Sequence, residues 1–414
     1  MKAAFYTLGC KLNQVETDAA AASFKQQGYE IVQGEEADVY FINTCAVTSK
    51  AEAKSRRLVR KLAREFPGKV IAAGCLVQLK REKIALLDGL KMALGTKERF
   101  DFFNAPENCG NLCVSDNPVG SFSPHRGDYF RSRAFVKIQD GCDHRCSYCI
   151  VPILRGKSVS LDKDSVVLSV TKALENGGKE IVLTGVDIGS YKDASGTTLA
   201  ELLEKICKLP EVRRIRLSSV EPPGFTEELT NACGTSEKVC PHFHIPLQSG
   251  SDNILRRIGR NYTGADYLDL VNKLAGKFPD AKIGADLIVG LPGETDEEFI
   301  RTLKIIEQAP ITHIHVFPFS PRPGTEFKST DDRISAEVKA YRAEALKKIV
   351  QAKNLEFMNR MRGTVREVFF EGDGSKGGFT DNYIRTTTPG KRFSGFQLVK
   401  LKEIRGNGMT AIPV

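Results

Sequence analysis

The sequence predicts an α/β protein of three units: a small N-terminal parallel α/β domain, a central complete or partial β/α barrel, and a small C-terminal antiparallel β module. Apolar runs alternate with helix-like segments at the start of the chain, and the alternation resumes at larger scale after Ala134. Short strands separated by turns follow Met361. We place the units at residues 1–110, 134–356 and 357–414, with a linker over 111–133.

The N-terminal domain contains three apolar runs that predict strands: AAFYTL, DVYFINT and KVIAAG. A segment of helical periodicity follows the first run, and a long basic helix from Lys50 to Glu65 follows the second. Strands that alternate with helices in this way form a parallel sheet with helices on its faces. We therefore expect a small parallel α/β domain.

The central unit carries six apolar runs separated by longer helical segments: AFVKIQ, EIVLTGV, RIRLSSV, HFHIPL, KIGADLIVGL and HIHVFPF. Parallel strands with crossover helices suit a complete or partial β/α barrel. A long helix from Ser335 to about Met361 closes this unit. The segments TVREVFFE, FTDNYIRTT, FQLVKLKEIRGNG and TAIPV then predict the small antiparallel β module.

The composition is that of a globular protein with a modest positive charge. Of 414 residues, 41% are hydrophobic and 27% are charged, and the formal net charge is +9. The chain has no apolar run of about 18 residues and no leader-like N-terminus, so we expect a cytoplasmic protein without a membrane partner. The basic excess allows a polyanionic partner such as nucleic acid. The 11 cysteines favour metal ligation or catalysis over disulfides.

The segment DGCDHRCSYC, just after the first barrel strand, carries Cys142, Cys146 and Cys149 in a Cys-x3-Cys-x2-Cys pattern. A zinc knuckle using His144 is the alternative, but His144 lies between two of these cysteines and no second closely spaced pair follows. Three thiolates can hold three irons of a four-iron cluster and leave the fourth iron open. A loop after a barrel strand also lies at the mouth where barrel enzymes carry their active sites.

A second set of cysteines follows the three N-terminal strands: Cys10 ends AAFYTLGC, Cys45 ends DVYFINTC and Cys75 ends KVIAAGC. The carboxyl ends of parallel strands share one sheet edge, so these side chains should converge. A single cysteine at such a position is more often a small buried residue. Three at equivalent strand ends indicate a second three-thiolate cluster, with Gly9 and Gly74 allowing close approach of the backbone.

The cysteine motif of the barrel resembles the signature of the radical S-adenosylmethionine (SAM) enzymes. Two triads with this layout resemble the radical SAM methylthiotransferases, and the similarity extends over nearly the whole chain through YTLGCKLNQVETD, QDGCDHRCSYCIVPILRG, LTGVDIGSY, SSVEP, HIPLQSGSDNILRRIGRNY, ADLIVGLPGET and FTDNYIR. Several segments are most similar to the enzymes that act on N6-threonylcarbamoyladenosine beside the anticodon of tRNA. In this family FTDNYIR belongs to a TRAM module, a β-rich RNA-binding domain.

The resemblance implies two 4Fe-4S clusters and SAM as cofactors, with one triad holding the radical SAM cluster and the other an auxiliary cluster. It implies that a methylthio group is inserted at C2 of the modified adenosine by a deoxyadenosyl radical, cluster sulfur and a second SAM. The expected partners are the tRNA anticodon loop, an external electron donor and a sulfur source, and the expected working unit is a monomer. No paired carboxylates or Cys/His nucleophile arrangement competes with this chemistry.

The resemblance also implies a set of SAM-contacting residues: Tyr148, Arg155, Gly185, Asp187, Gln248, Gly290 and Gly293. The glycine segments TGVDIG and GLPGE could equally be ordinary turns that follow strands. Arg155 could be a surface residue and Gln248 a turn residue.

Basic residues suggest where RNA would bind: Arg56, Arg60 and Arg64 on one helix face, and Arg385, Lys391 and Arg392 on the terminal module. A solvated charged face is the usual explanation for such a helix. Few acidic residues are interleaved, however, so contacts to phosphates are credible. The aromatic residues Phe379, Tyr383 and Phe396 predict stacking with unpaired bases.

Two other functions remain open from the sequence. One is methylthiotransferase activity on isopentenyl-adenosine tRNA or on an aspartate of a ribosomal protein. The other is a non-catalytic RNA-binding protein with structural metal, which would contain zinc rather than iron. We assign no functional role to the remaining cysteines, which are Cys109, Cys113, Cys207, Cys233 and Cys240. Cys207 is predicted to lie in an amphipathic helix.

Overall fold

A computed structural model describes residues 1–33, 36–100, 102–104, 110–118, 120–122, 133–330, 334–372 and 377–414. Cys109 lies outside these ranges. None of the helices in the described ranges combines the length and apolarity that crossing a bilayer requires. The chain forms the predicted α/β architecture of parallel sheets followed by a small β-barrel.

The N-terminal unit is a six-stranded sheet in which every neighbouring pair is parallel. Its strands and helices are β1 (Lys2–Thr7), α1 (Lys11–Gln26), β2 (Glu30–Val32), β3 (Val39–Thr44), α2 (Ser49–Glu65), β4 (Val70–Gly74), α3 (Cys75–Ala85), β5 (Leu90–Leu94) and β6 (Leu112–Cys113). The strand order is β2-β1-β3-β4-β5-β6, which places the three predicted strands side by side at the centre.

Three strands of this sheet escaped the sequence analysis. Strands β2 and β6 are only two or three residues long, and β5 is half exposed, so none has a strong apolar pattern. Strand β6 lies within the segment that the sequence analysis assigned to the linker. The sheet therefore continues to Cys113, whose side chain is buried in the core of this unit.

The central unit is a partial barrel of six parallel strands with helices outside. Its elements are β7 (Arg133–Lys137), β8 (Gln139–Asp140), α4 (Val151–Arg155), β9 (Val159–Ser160), α5 (Lys163–Glu175), β10 (Glu180–Thr184), α6 (Leu199–Cys207), β11 (Arg214–Leu217), α7 (Glu227–Gly234), β12 (His242–His244), α8 (Asp252–Arg257), α9 (Gly264–Lys277), β13 (Lys282–Val289), α10 (Asp296–Gln308), β14 (His313–Pro318) and α11 (Ala336–Met361). A separate short pair, β8 and β9, lies beside the barrel.

The six barrel strands form two parallel sheets, β11-β10-β7 and β12-β13-β14, joined by a parallel bridge between Ile215 and Val239. Within the described ranges β7 and β14 are not paired, so the barrel is open along one side. Helix α1 of the N-terminal unit packs beside β7. The predicted long helix is confirmed as α11, and the Ser335 hydroxyl accepts a hydrogen bond from the Val338 amide at its start.

The C-terminal unit is a closed five-stranded barrel in the order β15-β16-β17-β19-β18. Its strands are β15 (Val365–Phe370), β16 (Gly378–Thr380), β17 (Arg385–Thr387), β18 (Gly395–Arg405) and β19 (Gly408–Pro413). Four of its pairings are antiparallel as predicted, but β17 pairs with β19 in parallel. Closure of the barrel brings these two non-consecutive strands together, which periodicity along the chain does not reveal.

Candidate active site: two cysteine triads at one domain interface

The N-terminal cysteines follow three adjacent strands. Cys10 comes after β1, and Cys45 and Cys75 directly follow β3 and β4, which pair with β1 in the order β1-β3-β4. Gly9 has a φ of +109°, and a Cβ there would come within 2.8 Å of the Cβ of Cys45. The strand ends therefore converge as predicted, and Gly9 is required for the close approach of its backbone to Cys45.

The three N-terminal thiols differ in exposure. Cys10 is exposed, whereas Cys45 and Cys75 are buried. Burial raises the pKa of Cys45 to about 12 and raises that of Cys75. Asn13 braces the site from α1: its side-chain amide donates to the carbonyls of Leu8 at 2.7 Å and Thr44 at 3.0 Å.

The second triad lies in the loop between β8 and α4, at the carboxyl ends of the barrel strands. The Cys149 amide donates to the Cys146 carbonyl at 2.9 Å, and the Cys142 amide donates to the Gly156 carbonyl at 3.1 Å. Gly141 has a φ of +71°, and a Cβ there would lie 1.9 Å from the Lys157 carbonyl oxygen. The loop is thus held partly by its own backbone and partly by Ser147, whose amide donates to the Ile258 carbonyl at 3.3 Å.

Each triad offers the donor set of a three-thiolate iron-sulfur site. All six cysteines are free thiols. Burial raises the pKa of Cys142 to about 11 and that of Cys149 to about 12, so these thiols stay protonated unless a cation lies beside them. Bound iron ions would supply that charge, because metal binding releases the thiol protons. His144, the fourth ligand of the alternative zinc knuckle, instead pairs with Asp187 at 3.1 Å.

Two of the predicted SAM-contacting residues, Gly185 and Asp187, lie at the same mouth, just after β10, the strand that pairs with β7. The Asp187 and Val186 amides both donate to the Gln139 side-chain oxygen at 2.9 Å. A Cβ on Gly185 would lie 2.8 Å from that oxygen, so the turn needs glycine. One carboxylate oxygen of Asp187 bonds His144, and the other is buried without a hydrogen-bond partner among the described residues. Such an oxygen can accept a hydrogen bond from an amino group of a ligand.

Tyr148 lies inside the triad loop and contacts a buried ion pair that the sequence analysis did not identify. Arg260 donates to the Tyr148 hydroxyl at 3.0 Å and to both carboxylate oxygens of Glu221 at 2.7 and 3.1 Å. Glu221 lies in SSVEP and Arg260 in IGRNY, two segments that carry the family resemblance. Their place in these segments was the sequence signal by which they could have been found. They fix the orientation of the tyrosine next to the cysteines.

The remaining predicted contacts occupy the ends of β12 and β13. Gln248 is buried with a φ of +66°, and its backbone extends β12 by pairing with Leu287. Gly290 and Gly293 also have positive φ, and a Cβ at either would collide with Lys339 or Arg257, respectively. Their glycine requirement therefore comes mainly from the positive φ of the backbone, because the Arg257 guanidinium is the movable end of a flexible side chain.

Arg155 takes part in a buried charge network that spans the two units. Its guanidinium donates to Glu16 of α1 at 2.8 and 3.1 Å and to Asp140 at 2.9 Å. Lys137 lies 3.0 Å from Glu16 and 2.6 Å from Asp140, and Arg99 lies 2.7 Å from Glu16. All five side chains are buried. Of these five residues, only Arg155 was predicted as a site residue from the sequence, because its partners are far away along the chain.

This network and an apolar contact place the two triads on the same interface. Ile150 and Leu154, which follow Cys149, are buried in one cluster with Cys75 and Leu76 of the N-terminal unit. Arg155 also donates to the side-chain oxygen of Asn13 at 2.9 Å, the residue that braces the first triad. The two sets of cysteines thus lie beside the contact that α4 makes with α1 and α3.

The barrel lumen is polar. Alternate residues of β10, β11 and β13, such as Ile181, Ile215 and Ile283, face the helices in the main apolar core, so the intervening residues face the lumen. The lumen-facing positions with charged or imidazole side chains are Arg133, Lys137, Glu180, Arg214, Arg216, His242, His244, Lys282, Asp286, His313 and His315. Their every-second-residue spacing in RIR, HFH and HIH was a signal the sequence analysis missed.

Four of these lumen residues form one hydrogen-bonded chain. Asp286 accepts from His244 and from His315, each at 3.0 Å, and His315 contacts His313 at 3.0 Å. Burial lowers the pKa of His313 to about 4, while hydrogen bonds from the two imidazoles outweigh burial and lower the pKa of Asp286. These groups are partly exposed to the lumen.

The C-terminal barrel closes the amino-terminal end of the lumen. Arg216 donates to the carbonyls of Thr380 at 3.2 Å and Asp381 at 2.9 Å. The Tyr383 ring stacks on His242 with centroids 4.3 Å apart and on Phe379 at 4.7 Å. The predicted base-stacking role of these aromatic residues is therefore wrong for Phe379 and Tyr383, whose rings are used in packing the two units together.

Phe396 is likewise covered, by the guanidinium groups of Arg213 and Arg214 at 4.4 and 4.7 Å. The predicted basic RNA contacts are more accessible: Arg60, Arg64, Arg385, Lys391 and Arg392 are exposed, and Arg56 is partly exposed and paired with Glu52. Lys391 also lines a groove of about 730 Å³ on the C-terminal barrel with Arg362, Lys400 and Lys402.

Comparison with sequence families gives two matches in separate parts of the chain. Residues 136–306 match the Radical SAM superfamily, and residues 2–95 match an uncharacterized protein family, UPF0004. The first span contains the Cys142–Cys149 loop and most of the barrel. The second contains Cys10, Cys45 and Cys75.

Relatives are similar over nearly the full length. The threonylcarbamoyladenosine tRNA methylthiotransferase MtaB of Thermotoga maritima is 35% identical, covering 97% of this chain and 95% of its own. The Bacillus subtilis MtaB is 34% identical, covering 97% and 93%. The tRNA-2-methylthio-N(6)-dimethylallyladenosine synthase of Thermodesulfovibrio yellowstonii is 33% identical, covering 96% and 94%.

Among solved structures, the radical SAM methyltransferase TsrM of Kitasatospora setae has a TM-score of 0.60 at 14% identity, covering 79% of this chain and 75% of its own. That similarity concerns the fold.

Proposed function

Because the chain belongs to the radical SAM methylthiotransferase family, we propose that it methylthiolates C2 of N6-threonylcarbamoyladenosine beside the anticodon of tRNA. The observation that carries the proposal is the pair of three-cysteine sites on one domain interface. A tRNA base that reached this interface would meet both sites at once. The relatives named MtaB support the choice of substrate.

The two triads would hold the two clusters, Cys142, Cys146 and Cys149 in the barrel and Cys10, Cys45 and Cys75 in the N-terminal unit. When bound, the clusters and SAM supply the radical and sulfur chemistry of the family. The chain's own residues bind these groups and orient them. The buried, unpartnered oxygen of Asp187 can accept from the amino group of SAM, and Arg260 holds the Tyr148 ring beside the cysteines.

The polar network between the units fixes the position of one triad relative to the other. Arg155 grips Glu16 with two hydrogen bonds and Asp140 with a third, and Asp140 precedes Cys142 by two residues. A guanidinium that joins two carboxylates through a planar fork restricts both position and angle. The proposed role of Arg155 is therefore to position the loop of one triad relative to α1, which begins at the other.

The tRNA would be held by basic surfaces outside the barrel. The groove lined by Arg362, Lys391, Lys400 and Lys402 gathers four cations around one acidic residue, Glu403. Arg60 and Arg64 lie on the exposed face of α2. Contacts of this kind bind phosphates without reading sequence. We propose that the enzyme acts on cytoplasmic tRNA as a monomer, with an external electron donor and sulfur source.

Nucleoside mass spectrometry of tRNA from a deletion strain tests the proposal. We expect 2-methylthio-N6-threonylcarbamoyladenosine to disappear and its precursor to accumulate, and the gene expressed from a plasmid should restore the product. Loss of the methylthio group from isopentenyl-adenosine instead would assign the protein to the second substrate, which the Thermodesulfovibrio relative also supports. Unchanged tRNA together with zinc in the purified protein would contradict both.

A further inference from the structure

Lys11, the first residue of α1 and the neighbour of Cys10, lies in the barrel lumen. Four residues further along the same face of the helix, Val15 packs against Phe135 and Val182, which are lumen-facing residues of β7 and β10. The ammonium group of Lys11 interacts electrostatically with Arg216, Glu180 and Asp286, all of which face the lumen. The N-terminal unit therefore contributes a cation to the inside of the barrel.

The other cations of the lumen are occupied. Glu180 is shared by Arg133 at 3.1 Å, Arg214 at 3.4 Å and Arg216 at 3.1 Å. Arg214 and Arg216 also donate to backbone carbonyls of the C-terminal barrel, as does Lys282, which lies 3.4 Å from the Tyr383 carbonyl. These groups serve domain packing.

Lys11 differs from these cations. It is accessible to water, and its ammonium has no hydrogen-bond or ion-pair partner among the residues that the structure describes. The surrounding walls carry the cations Arg133, Arg214, Arg216 and Lys282, whose charge the carboxylates of Glu180 and Asp286 do not fully offset. An anionic ligand group is the natural partner for an ammonium in such surroundings.

The position of Lys11 matches one feature of the proposed substrate. The carbon that receives sulfur and the carbon that carries the N6 substituent belong to the same six-membered ring. A ring presented to the triad at Cys10 thus brings its N6 substituent within the span of the next side chain. The threonylcarbamoyl group ends in a carboxylate, whereas an isopentenyl group is apolar and would leave the ammonium desolvated and unpaired.

We propose that Lys11 binds the carboxylate of the threonylcarbamoyl group and thereby selects this substrate over uncharged N6-substituted adenosines. The inference rests on the proposed function. The ammonium donates hydrogen bonds to the carboxylate oxygens, and no covalent step is involved. Charge-assisted hydrogen bonds in a partly desolvated site are about twice as strong as neutral ones, which is sufficient for discrimination.

The test uses anaerobically reconstituted full-length enzyme and two anticodon stem-loop RNAs, one with the threonylcarbamoyl group as the free acid and one with its methyl ester. For the wild type we expect kcat/KM to be about 10- to 100-fold higher for the acid, the range for one hydrogen bond to a charged group. Lys11→Met should reduce the rate for the acid to that for the ester. Lys11→Arg should retain most of the preference for the acid.

Two controls separate recognition from structural damage. Iron content should be unchanged in Lys11→Met, and Lys172→Met, at an exposed lysine of α5, should behave as the wild type. A Lys11→Met enzyme that still prefers the acid overturns the inference, and so does a wild type that treats acid and ester alike, a result that depends on no variant. A wild type that modifies neither RNA overturns the proposed function itself.

Discussion

The two cysteine triads have the same donor set but are built in opposite ways. Cys142, Cys146 and Cys149 lie within eight consecutive residues of a single loop, and backbone hydrogen bonds of that loop help to hold its shape. Cys10, Cys45 and Cys75 come from three strands and meet only because β1, β3 and β4 are neighbours in the sheet. The first site is local and the second is assembled by the fold, so the second should be more sensitive to changes elsewhere in its domain.

The largest expected effect separates the two sites by chemistry. Cys142→Ala should abolish both SAM cleavage and methylthiolation, whereas Cys10→Ala should abolish methylthiolation and leave SAM cleavage measurable. In each case we expect a loss of at least about 1,000-fold in the affected rate, equivalent to about 4 kcal/mol in the barrier. Iron and sulfide analysis with product assays under anaerobic conditions measures both. Iron content of Cys10→Ala equal to the wild type would contradict the second site.

A pair of glycine substitutions probes how each site is built. Gly141→Ala would place a Cβ 1.9 Å from a backbone oxygen, and Gly9→Ala would place one 2.8 Å from the Cys45 side chain. Both should lower iron at their own triad, with the larger loss at Gly141 because a backbone carbonyl moves less easily than a side chain.

The matched control is Gly196→Ala. Gly196 has a φ of +87°, comparable to the other two, but nothing within 4 Å of its Cβ position. It should therefore show only the conformational cost of about 1–2 kcal/mol in unfolding free energy and retain its iron. Equal iron loss in all three variants would mean that backbone conformation, rather than crowding at the triads, determines cluster binding.

The stability of the contact between the two units should depend strongly on Glu16, which pairs with Arg155, Arg99 and Lys137. Glu16→Gln leaves buried cations without sufficient counter-charge and should reduce the free energy of unfolding by about 3–5 kcal/mol. Glu65→Gln, which removes an exposed partner of Lys61, should cost less than about 1 kcal/mol. Denaturant titration measures both, and comparable losses would show that the buried network is not a stabilising contact.

The same carboxylate predicts a pH dependence. Burial would raise the pKa of Glu16, but Arg155, Arg99 and Lys137 outweigh it and lower the pKa to about 2. A folded-state pKa below that of the unfolded chain gives stability that is present above the unfolded value and is lost as the pH falls toward about 2. Glu16→Gln should therefore flatten the acid limb of the stability profile between about pH 4.5 and about pH 2. A limb as steep as that of the wild type would refute this.

The smallest effects should come from the groove on the C-terminal barrel, which is remote from both triads. Lys400→Ala and Lys402→Ala should each weaken tRNA binding about equally for modified and unmodified tRNA and reduce the salt slope of log Kd by about one. Iron content and SAM cleavage should not change. A loss confined to threonylcarbamoyl-containing tRNA would indicate base recognition rather than phosphate contact.

Much of the fold followed from the sequence because apolar residues recur through the central strands and helical segments separate those strands regularly. The three N-terminal strands that precede cysteines, the six barrel strands and α11 were all predicted. The short edge strands β2 and β6 were missed, since a strand of two or three residues has no measurable period. The parallel pairing of β17 with β19 also depends on closure of the barrel.

The site residues also divide into those that a local sequence pattern reveals and those that only the fold brings together. Cys142, Cys146 and Cys149 are recognisable because their spacing is a local pattern, and Cys10, Cys45 and Cys75 because each follows a clear strand. The partners of Arg155 could not be found in this way, since Glu16 lies in a different unit and a guanidinium pairs with whatever the fold brings near it. For Lys11, the sequence showed only a lysine after a cysteine.

The sequence by itself determined the donor atoms, the strand order along the chain and the family to which the motifs belong, because these depend on residue type and short spacing. The tertiary structure decided which groups meet: two triads across one interface, five buried charges between them, and Lys11 inside a barrel formed by another unit. The physical reason is that burial and pairing of charges depend on distances in space, which long loops and crossover helices separate from distance along the chain.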